Sequence, residues 1–264
     1  MFEYDSRKLL IYFAVKYDGN ITKILSALEC REELDVPIEE VNKVCDNLKC
    51  KTMTILDQDY PLTLKMMNYP PIVLFYYGDI SLIYEEQHRF GVVGSRDYSE
   101  YGEQATISIV SEMARGNVLV SGLARGIDTI AHQTAIDNHG RTVAVLGSGI
   151  DNCYPEENKE LYEEIKKKHL VISEYPPMSA PDRDHFPMRN RLIVALSQAL
   201  IVPQINSHVS GTIISVNLAQ EKGIPIYVVP HPILDGTFNN DLIQEGSEIA
   251  QSGTQILEAL NWDR

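Results

Sequence analysis

The stretch Phe-Gly-Val-Val-Gly-Ser-Arg at residues 90–96 decides the fold of this chain. Its first four residues read as a buried strand, and Gly94, Ser95 and Arg96 form the turn that follows. An amphipathic helix is predicted from about Glu100. A turn of small residues between a strand and a helix lets backbone N–H groups face an anion, and an arginine there can bind phosphate in a bidentate way. The stretch therefore predicts a strand–turn–helix unit with a candidate anion site.

The same alternation of strand and helix continues through the chain to the apolar run near Ile226. Apolar, β-branched runs begin near Phe90, Val118, Thr142, Leu170, Ala199 and Ile226. Helical patterns lie between them, at residues 105–114, 161–168 and 213–222. Alternation at this spacing is typical of βαβ units. We therefore predict an α/β fold with a doubly wound, mainly parallel sheet and helices on both faces.

The first fifty residues have a different pattern. Apolar residues keep helical spacing at 9–14, 21–28 and 38–48, which predicts three short helices. So small a bundle buries little area, and we expect it to lean on the main domain. We divide the chain into a small helical domain at 1–53 and an α/β domain at 54–264.

Composition and charge exclude several classes of function. The formal net charge is −14 at pH 7, which argues against a generic polyanion binder, so any nucleic acid must bind through a local basic pocket. No apolar run approaches the ~20 residues that cross a bilayer, and the N-terminus lacks the pattern of a signal peptide. The four cysteines show no zinc spacing. We expect a cytoplasmic protein with reduced thiols, no membrane association and no metal.

Four loops after predicted strands carry small or basic residues. In a doubly wound sheet the ligand lies beyond the carboxyl ends of the strands, where these loops meet. The candidate binding residues are Gly94, Ser95 and Arg96; Gly122, Arg125 and Gly126; Phe186, Arg189, Asn190 and Arg191; and Ser210, Gly211 and Thr212. The third group is placed just before a helix, where the helix dipole disfavours two arginines unless an anion is bound. Together the loops predict an anion site.

Each loop also has a purely structural interpretation. The glycines could serve only tight turns, and Arg189 or Arg191 could pair with Asp182 or Asp184. Asp128, Thr129 and Ser210 could each be a helix cap. Asp151, Tyr154 and Glu174 could be polar rim residues, and His132 suits helix packing better than a role as a base.

A series of short motifs runs in one order from about residue 57 to residue 246. The motifs are Gly94-Ser95-Arg96, residues 121–128 with Ala131-His132, residues 142–149, Tyr154-Pro155 with Asn158, residues 173–176, residues 186–191, Ser210-Gly211-Thr212 and residues 242–246. In these motifs the chain resembles the DNA-processing protein A family, also called DprA or Smf.

The resemblance implies an extended Rossmann-like domain that binds single-stranded DNA without sequence preference. It also implies that the protein protects incoming DNA during natural transformation, loads the RecA recombinase and forms a homodimer through its C-terminal part. The N-terminal helices are similar to the SAM-like or helix-hairpin-helix module of many members. No cofactor and no catalytic residue is expected.

This chain departs from the family pattern at three places. Glu156 and Glu157 follow Tyr-Pro where many members have a lysine, which removes a phosphate contact. Val202-Pro203-Gln204 replaces Val-Glu-Ala, and Pro230-His231 replaces Pro-Gly. Together with the acidic net charge, these changes predict weaker or more salt-sensitive DNA binding than in a typical member.

Two rival functions are left open by the residues. Nucleotide phosphoribohydrolases place a Gly-Thr turn at a helix start in a similar fold, but they need a glutamate where this chain has Ser215. A regulatory protein that senses a mononucleotide could use the same pocket. The leading hypothesis is a single-stranded DNA-binding protein, with phosphate contacts from the four loop arginines and a stacking ring at Phe186.

Overall fold

The sheet is the central layer of the computed structural model, which describes residues 5–30 and 36–262. Its strands are β1 (Lys51–Thr54), β2 (Val73–Gly78), β3 (Arg89–Val92), β4 (Val118–Ser121), β5 (Arg141–Leu146), β6 (Leu170–Ser173), β7 (Ala199–Val202), β8 (Ile226–Val228) and β9 (Glu248–Ile249). The helices are α1 (Ser6–Lys16), α2 (Ile21–Glu29), α3 (Ile38–Asp46), α4 (Leu62–Lys65), α5 (Glu100–Met113), α6 (Ile127–Asp137), α7 (Lys159–Lys168), α8 (His185–Ala195), α9 (Gly211–Glu221), α10 (Asn239–Gln244) and α11 (Gly253–Ala259).

The strand order is β1-β2-β6-β5-β4-β3-β7-β8-β9. The seven strands from β6 to β9 in this order run parallel, whereas β2 pairs antiparallel with both β1 and β6. All six strands expected from the repeating pattern are present. The predicted fold class, a Rossmann-like and mainly parallel α/β sheet, is therefore confirmed.

Both faces of the sheet are covered, as alternate residues of β4 illustrate. Val118 and Val120 belong to a buried cluster that contains residues of α8 and α9. Leu119 lies between them in the chain but belongs to a second cluster, with residues of α5, α6 and α11. Strands buried on both faces need apolar residues at successive positions, which is why these strands read as continuous apolar runs in the sequence.

The N-terminal helices pack against the sheet rather than standing apart. Leu10 and Phe13 of α1 share a buried cluster with Phe75 of β2 and Val171 of β6. As expected, the N-terminal helices pack against the main domain, at the side of the sheet formed by β2 and β6. The predicted boundary after residue 53 falls inside β1, and the domain division stays a prediction because residues 1–4 and 31–35 lie outside the described residues.

One element starts earlier than expected. The segment 186–191 was predicted to precede a helix, but α8 begins at His185, so the segment forms its first two turns. Pro187 is the third residue of α8, where proline is tolerated because the first N–H groups of a helix have no partner within it. In the part of the chain that the structure describes, no helix is long and apolar enough to span a membrane.

Candidate nucleic-acid interface

The loops that follow β3 and β7 meet where the strand order reverses. The chain leaves β3 through α5 toward β4, whereas β7 lies on the other side of β3. Ser95 joins the two loops: its N–H donates to the Gln204 carbonyl (2.9 Å), and its hydroxyl accepts from the Asn206 N–H (2.9 Å). Crevices at such reversals are the usual ligand sites of open α/β sheets.

A cavity of about 340 Å³ opens at this reversal, and we call it the switch-point cavity. It is lined by Val93, Gly94, Ser95, Arg96, Asp97, Ala124, Asp128, Phe186, Arg189, Asn190, Ile193, Asn206, Ser207, Ser210, Gly211, Thr212 and Ser215. Residues of all four predicted loops therefore come together at one edge of the sheet.

A second cavity, of about 190 Å³, adjoins the first, and we call it the aromatic cavity. It is lined by Arg96, Asp97, Gly122, Ala124, Arg125, Gly147, Tyr154, Pro155, Phe186 and Arg189. Five of these residues, among them Arg96 and Phe186, also line the switch-point cavity. The two cavities therefore share a wall that carries a cation and an aromatic ring.

Arg96 is the accessible cation of this wall. Its side chain is exposed, and its guanidinium carbon lies 5.6 Å from the centre of the Phe186 ring. The Tyr154 ring lies 5.8 Å from the Phe186 ring on the side of the aromatic cavity, and Tyr154 is 45% exposed. Arg96 forms no ion pair within the described residues, so its charge is available to an anion. A cation beside aromatic faces is a combination with which proteins bind single-stranded nucleic acids.

Arg125 also lines the aromatic cavity, but its charge is already paired. Its Nε lies 2.8 Å from Oε1 of Glu157, and the two side chains are 61% and 53% exposed. Glu157 is one of the two glutamates that directly follow Tyr154-Pro155. A solvent-exposed pair of this kind contributes little stability. Glu157 therefore occupies the position on Arg125 that a phosphate would take.

Arg189 is a buried structural cation rather than an exposed arm. Only 4% of the residue is exposed, and its Nη1 donates to the carbonyls of Gly122 (2.5 Å) and Val145. A Cβ on Gly122 would lie 2.5 Å from the guanidinium carbon, so the close approach requires glycine at that position. Burial lowers the pKa of Arg189 to about 10, and the side chain stays protonated at neutral pH. It contributes a fixed positive charge to the wall between the cavities.

Arg191 lies away from both cavities, contrary to its predicted place among the phosphate contacts. Its Nη2 is 2.6 Å from Oε1 of Glu174, and both side chains are more than nine-tenths buried. Its partner is therefore neither Asp182 nor Asp184, and Glu174 is not a rim residue. Burial raises the pKa of Glu174, and Arg191 opposes that rise. The pair ties the middle of α8 to the residue that follows β6.

The start of α9 forms the other wall of the switch-point cavity. Asn190 donates from Nδ2 to the Gly211 carbonyl (3.0 Å), which fixes this start against α8. Ser210 precedes the helix without capping it, and its buried hydroxyl has no hydrogen-bond partner within the described residues. The same holds for Ser215, which is fully buried one turn further along α9. From the sequence, Ser215 was notable only because it stands where nucleotide phosphoribohydrolases need a glutamate.

The surroundings of Asp128 and His132 are those of residues that stabilise the fold. Neither Asp128 nor Thr129 is the cap residue of α6; that position is Gly126, whose φ of +79° favours glycine. The Asp128 carboxylate accepts from the N–H groups of Gly122 (3.1 Å) and Ala124 (3.4 Å), and burial raises its pKa. His132 lines neither cavity, and burial lowers its pKa to about 3. Within the described residues no cluster of His, Cys, Asp and Glu could hold a metal ion.

The sequence and the fold are also similar to those of known proteins. The sequence model of the DNA recombination-mediator protein A family matches residues 51–261. The chain belongs to this family. It is 40% identical over 211 residues to the DNA processing protein DprA of Streptococcus pneumoniae, covering 79% of this chain and 74% of that one. With DprA of Bacillus subtilis it shares 39% identity, over 79% of this chain and 71% of that one.

Two solved family structures resemble the fold over most of the chain. The X-ray structure of DprA from Streptococcus pneumoniae superposes with a TM-score of 0.82 at 31% identity, covering 97% of this chain and 98% of that chain. DprA from Helicobacter pylori, whose structure describes a single-stranded DNA binding mode, gives a TM-score of 0.73 at 29% identity over 81% of this chain and 96% of that chain. The family predicted from the short motifs is therefore confirmed.

Proposed function

We propose that this protein binds single-stranded DNA along the wall shared by the two cavities. The observation that carries the proposal is the exposed, unpaired Arg96 beside the rings of Phe186 and Tyr154. Arginine supplies charge for the phosphates, and aromatic faces accept any base, which gives binding without sequence preference. Gly94 and Ser95 shape the site, and Gly211 opens the start of α9, whose first N–H groups have no partner within the helix.

The single-stranded DNA binding of the Helicobacter pylori relative supports the same ligand here. The family description as a recombination mediator, and the name DNA processing protein of the relatives, support a role in DNA processing. In that role the protein protects incoming DNA during natural transformation and loads the RecA recombinase onto it. The formal net charge of −14 opposes DNA binding elsewhere on the surface, so the proposal confines the contact to this local site.

The C-terminal third forms a homodimer in this proposal. Several apolar side chains there are exposed: Ile233 to 92%, Leu234 to 97%, Ile214 to 37% and Ile249 to 39%. Isolated exposed apolar residues are normal, but several in one third of a chain suit an interface. Light scattering at micromolar concentration should give twice the mass of one chain. The mass of a single chain would overturn the homodimer proposal.

The protein acts by binding and has no catalytic activity of its own on DNA or nucleotides. Hydrolysis needs a positioned acid or base at the anion site. Ser215 stands where the phosphoribohydrolases have a glutamate, and the Asp128 carboxylate is held by two backbone N–H groups. Incubation with single-stranded DNA and nucleoside monophosphates, with and without metals, should give no product. Turnover abolished by Asp128→Ala would establish an enzyme instead.

The test of the binding proposal compares labelled strands of equal length. Fluorescence anisotropy at moderate salt should give similar affinity for an oligothymidylate and a mixed-sequence strand, and markedly weaker binding of the mixed-sequence duplex. The reason is that stacking on Phe186 and Tyr154 requires unpaired bases. Equal affinity for the duplex and the single strand would refute the proposal.

A further inference from the structure

The switch-point cavity contains a donor set that the shared wall of Arg96 and Phe186 does not use. Ser215 is fully buried, lines this cavity, and its hydroxyl has no partner within the described residues. The buried hydroxyl of Ser210 is unpartnered in the same way. An unpaired buried hydroxyl costs about 1–3 kcal/mol. Two of them at one cavity point to a ligand that accepts hydrogen bonds.

The position of these hydroxyls identifies the ligand as an anion. They flank the first turn of α9, an eleven-residue helix whose first N–H groups have no partner within the helix. Gly211 at its start leaves the backbone open, since the nearest atom to a Cβ there would be Nδ2 of Asn190 at 3.7 Å. Arg96 and Arg189 add positive charge from the opposite wall. Phosphate at a helix N-terminus fits this set of donors.

The rest of the cavity suits the remainder of a nucleotide. Its volume of about 340 Å³ lies in the range of small-ligand sites. Asp97 is exposed and supplies a carboxylate, the group that binds sugar hydroxyls in other doubly wound α/β folds. Val93 and Ile193 are buried apolar residues of the lining that also contains Ser215. One cluster of phosphate donors beside apolar side chains suits a phosphomonoester.

We propose that the switch-point cavity binds a nucleoside 5′-monophosphate, with the phosphate held by the start of α9 and the Ser215 hydroxyl. The proposal rests on the proposed function in one respect: because Arg96 borders both cavities, the nucleotide competes with single-stranded DNA. The free nucleotide and the 5′-phosphorylated end of a strand share this chemistry, and the experiment distinguishes them.

The experiment measures binding of thymidine 5′-monophosphate by calorimetry, together with its displacement of a labelled oligothymidylate without a 5′-phosphate. The nucleotide should bind at least tenfold more tightly than thymidine and more tightly than inorganic phosphate. Ser215→Ala should weaken it about 13- to 160-fold, the value of one hydrogen bond to a charged group. Ser197→Ala is the matched control, because this buried serine bonds Ile193 and lines neither cavity. A cooperative melting transition establishes that each variant folds, and Ser215→Ala should melt no lower than the wild type because it removes an unpartnered buried hydroxyl.

The possible outcomes separate the two proposals. Oligonucleotide binding without nucleotide binding overturns the inference and leaves the DNA proposal standing. Nucleotide binding without oligonucleotide binding overturns the DNA proposal and leaves the nucleotide site standing. If neither ligand binds, both proposals are overturned. Equal affinity for inorganic phosphate, or an unaffected Ser215→Ala variant, also overturns the nucleotide site. A 5′-phosphate that tightens oligonucleotide binding, with the gain lost in Ser215→Ala, assigns the site to strand ends if the free nucleotide does not bind.

Discussion

Replacing Arg191 by methionine leaves the Glu174 carboxylate buried without a partner. The two groups are 2.6 Å apart, and their side chains are only 9% and 8% exposed, so solvent cannot compensate the lost charge. Removing one member of such a pair costs about 3–5 kcal/mol, which lowers the melting temperature of a chain this size by roughly 6–20 °C. Replacing both partners, as in Arg191→Met with Glu174→Leu, should recover most of that loss.

The pH dependence identifies the unpaired carboxylate as the cause. Burial raises the pKa of Glu174, and Arg191→Met removes the charge that opposes this rise. A group with a raised pKa in the folded state costs stability as the pH rises through that pKa, so the deficit of the single variant should shrink from pH 7 toward pH 5.

Urea denaturation of the wild type, both single variants and the double variant at the two pH values measures these differences. The double variant should bind oligonucleotide with wild-type affinity, because Arg191 lines neither cavity. An Arg191→Met variant with wild-type stability and lost DNA affinity would refute this reasoning and return Arg191 to the phosphate contacts.

Three further changes test other residues. Glu157→Gln frees Arg125 and should raise oligonucleotide affinity about 1.4- to 5-fold at low salt. Glu160→Gln, on the neighbouring exposed surface, is the control and should not raise it. Equal effects of the two variants would exclude competition between Glu157 and the DNA at Arg125. Phe186→Leu should lower affinity about 5- to 150-fold through lost stacking, and unchanged affinity in anisotropy titrations would remove the ring from the site. Burial lowers the pKa of His132 to about 3, so its contribution to the free energy of unfolding should fall by about 1.4 kcal/mol per pH unit as the pH drops below ~6.5. Urea titrations of His132→Gln should therefore show a weaker dependence of stability on pH than the wild type. The same dependence in both proteins would contradict the lowered pKa.

The sheet could be predicted because its strands are buried on both faces. The runs near Phe90, Val118 and Ala199 are apolar at successive positions, and this signal depends only on the local sequence. The edge of the sheet that carries the site followed from the same pattern, since loops after parallel strands share one edge. Thus Arg96 and Phe186 could be placed at one site from the sequence alone.

The state of each charged side chain could not be predicted in the same way. Arg191 meets Glu174, which lies 17 residues earlier, only after β6 and α8 have packed together. Arg189 became a buried cation because Gly122, from the loop after β4, leaves room for its guanidinium group. Such contacts depend on tertiary packing, which has no local signature. The sequence therefore indicated which loops form the site but not which arginines remain accessible to a ligand.

The salt dependence of oligonucleotide binding tests the central claim, that Arg96 contacts a phosphate of single-stranded DNA. Each phosphate neutralised on a single strand contributes about 0.7 to the slope of log affinity against log salt. Arg96→Ala should therefore weaken binding about 10- to 150-fold and make the slope shallower by about 0.7. Arg115→Ala, which removes an exposed arginine at the opposite edge of the sheet, should change neither quantity. An Arg96→Ala variant with the wild-type affinity and slope would contradict the account.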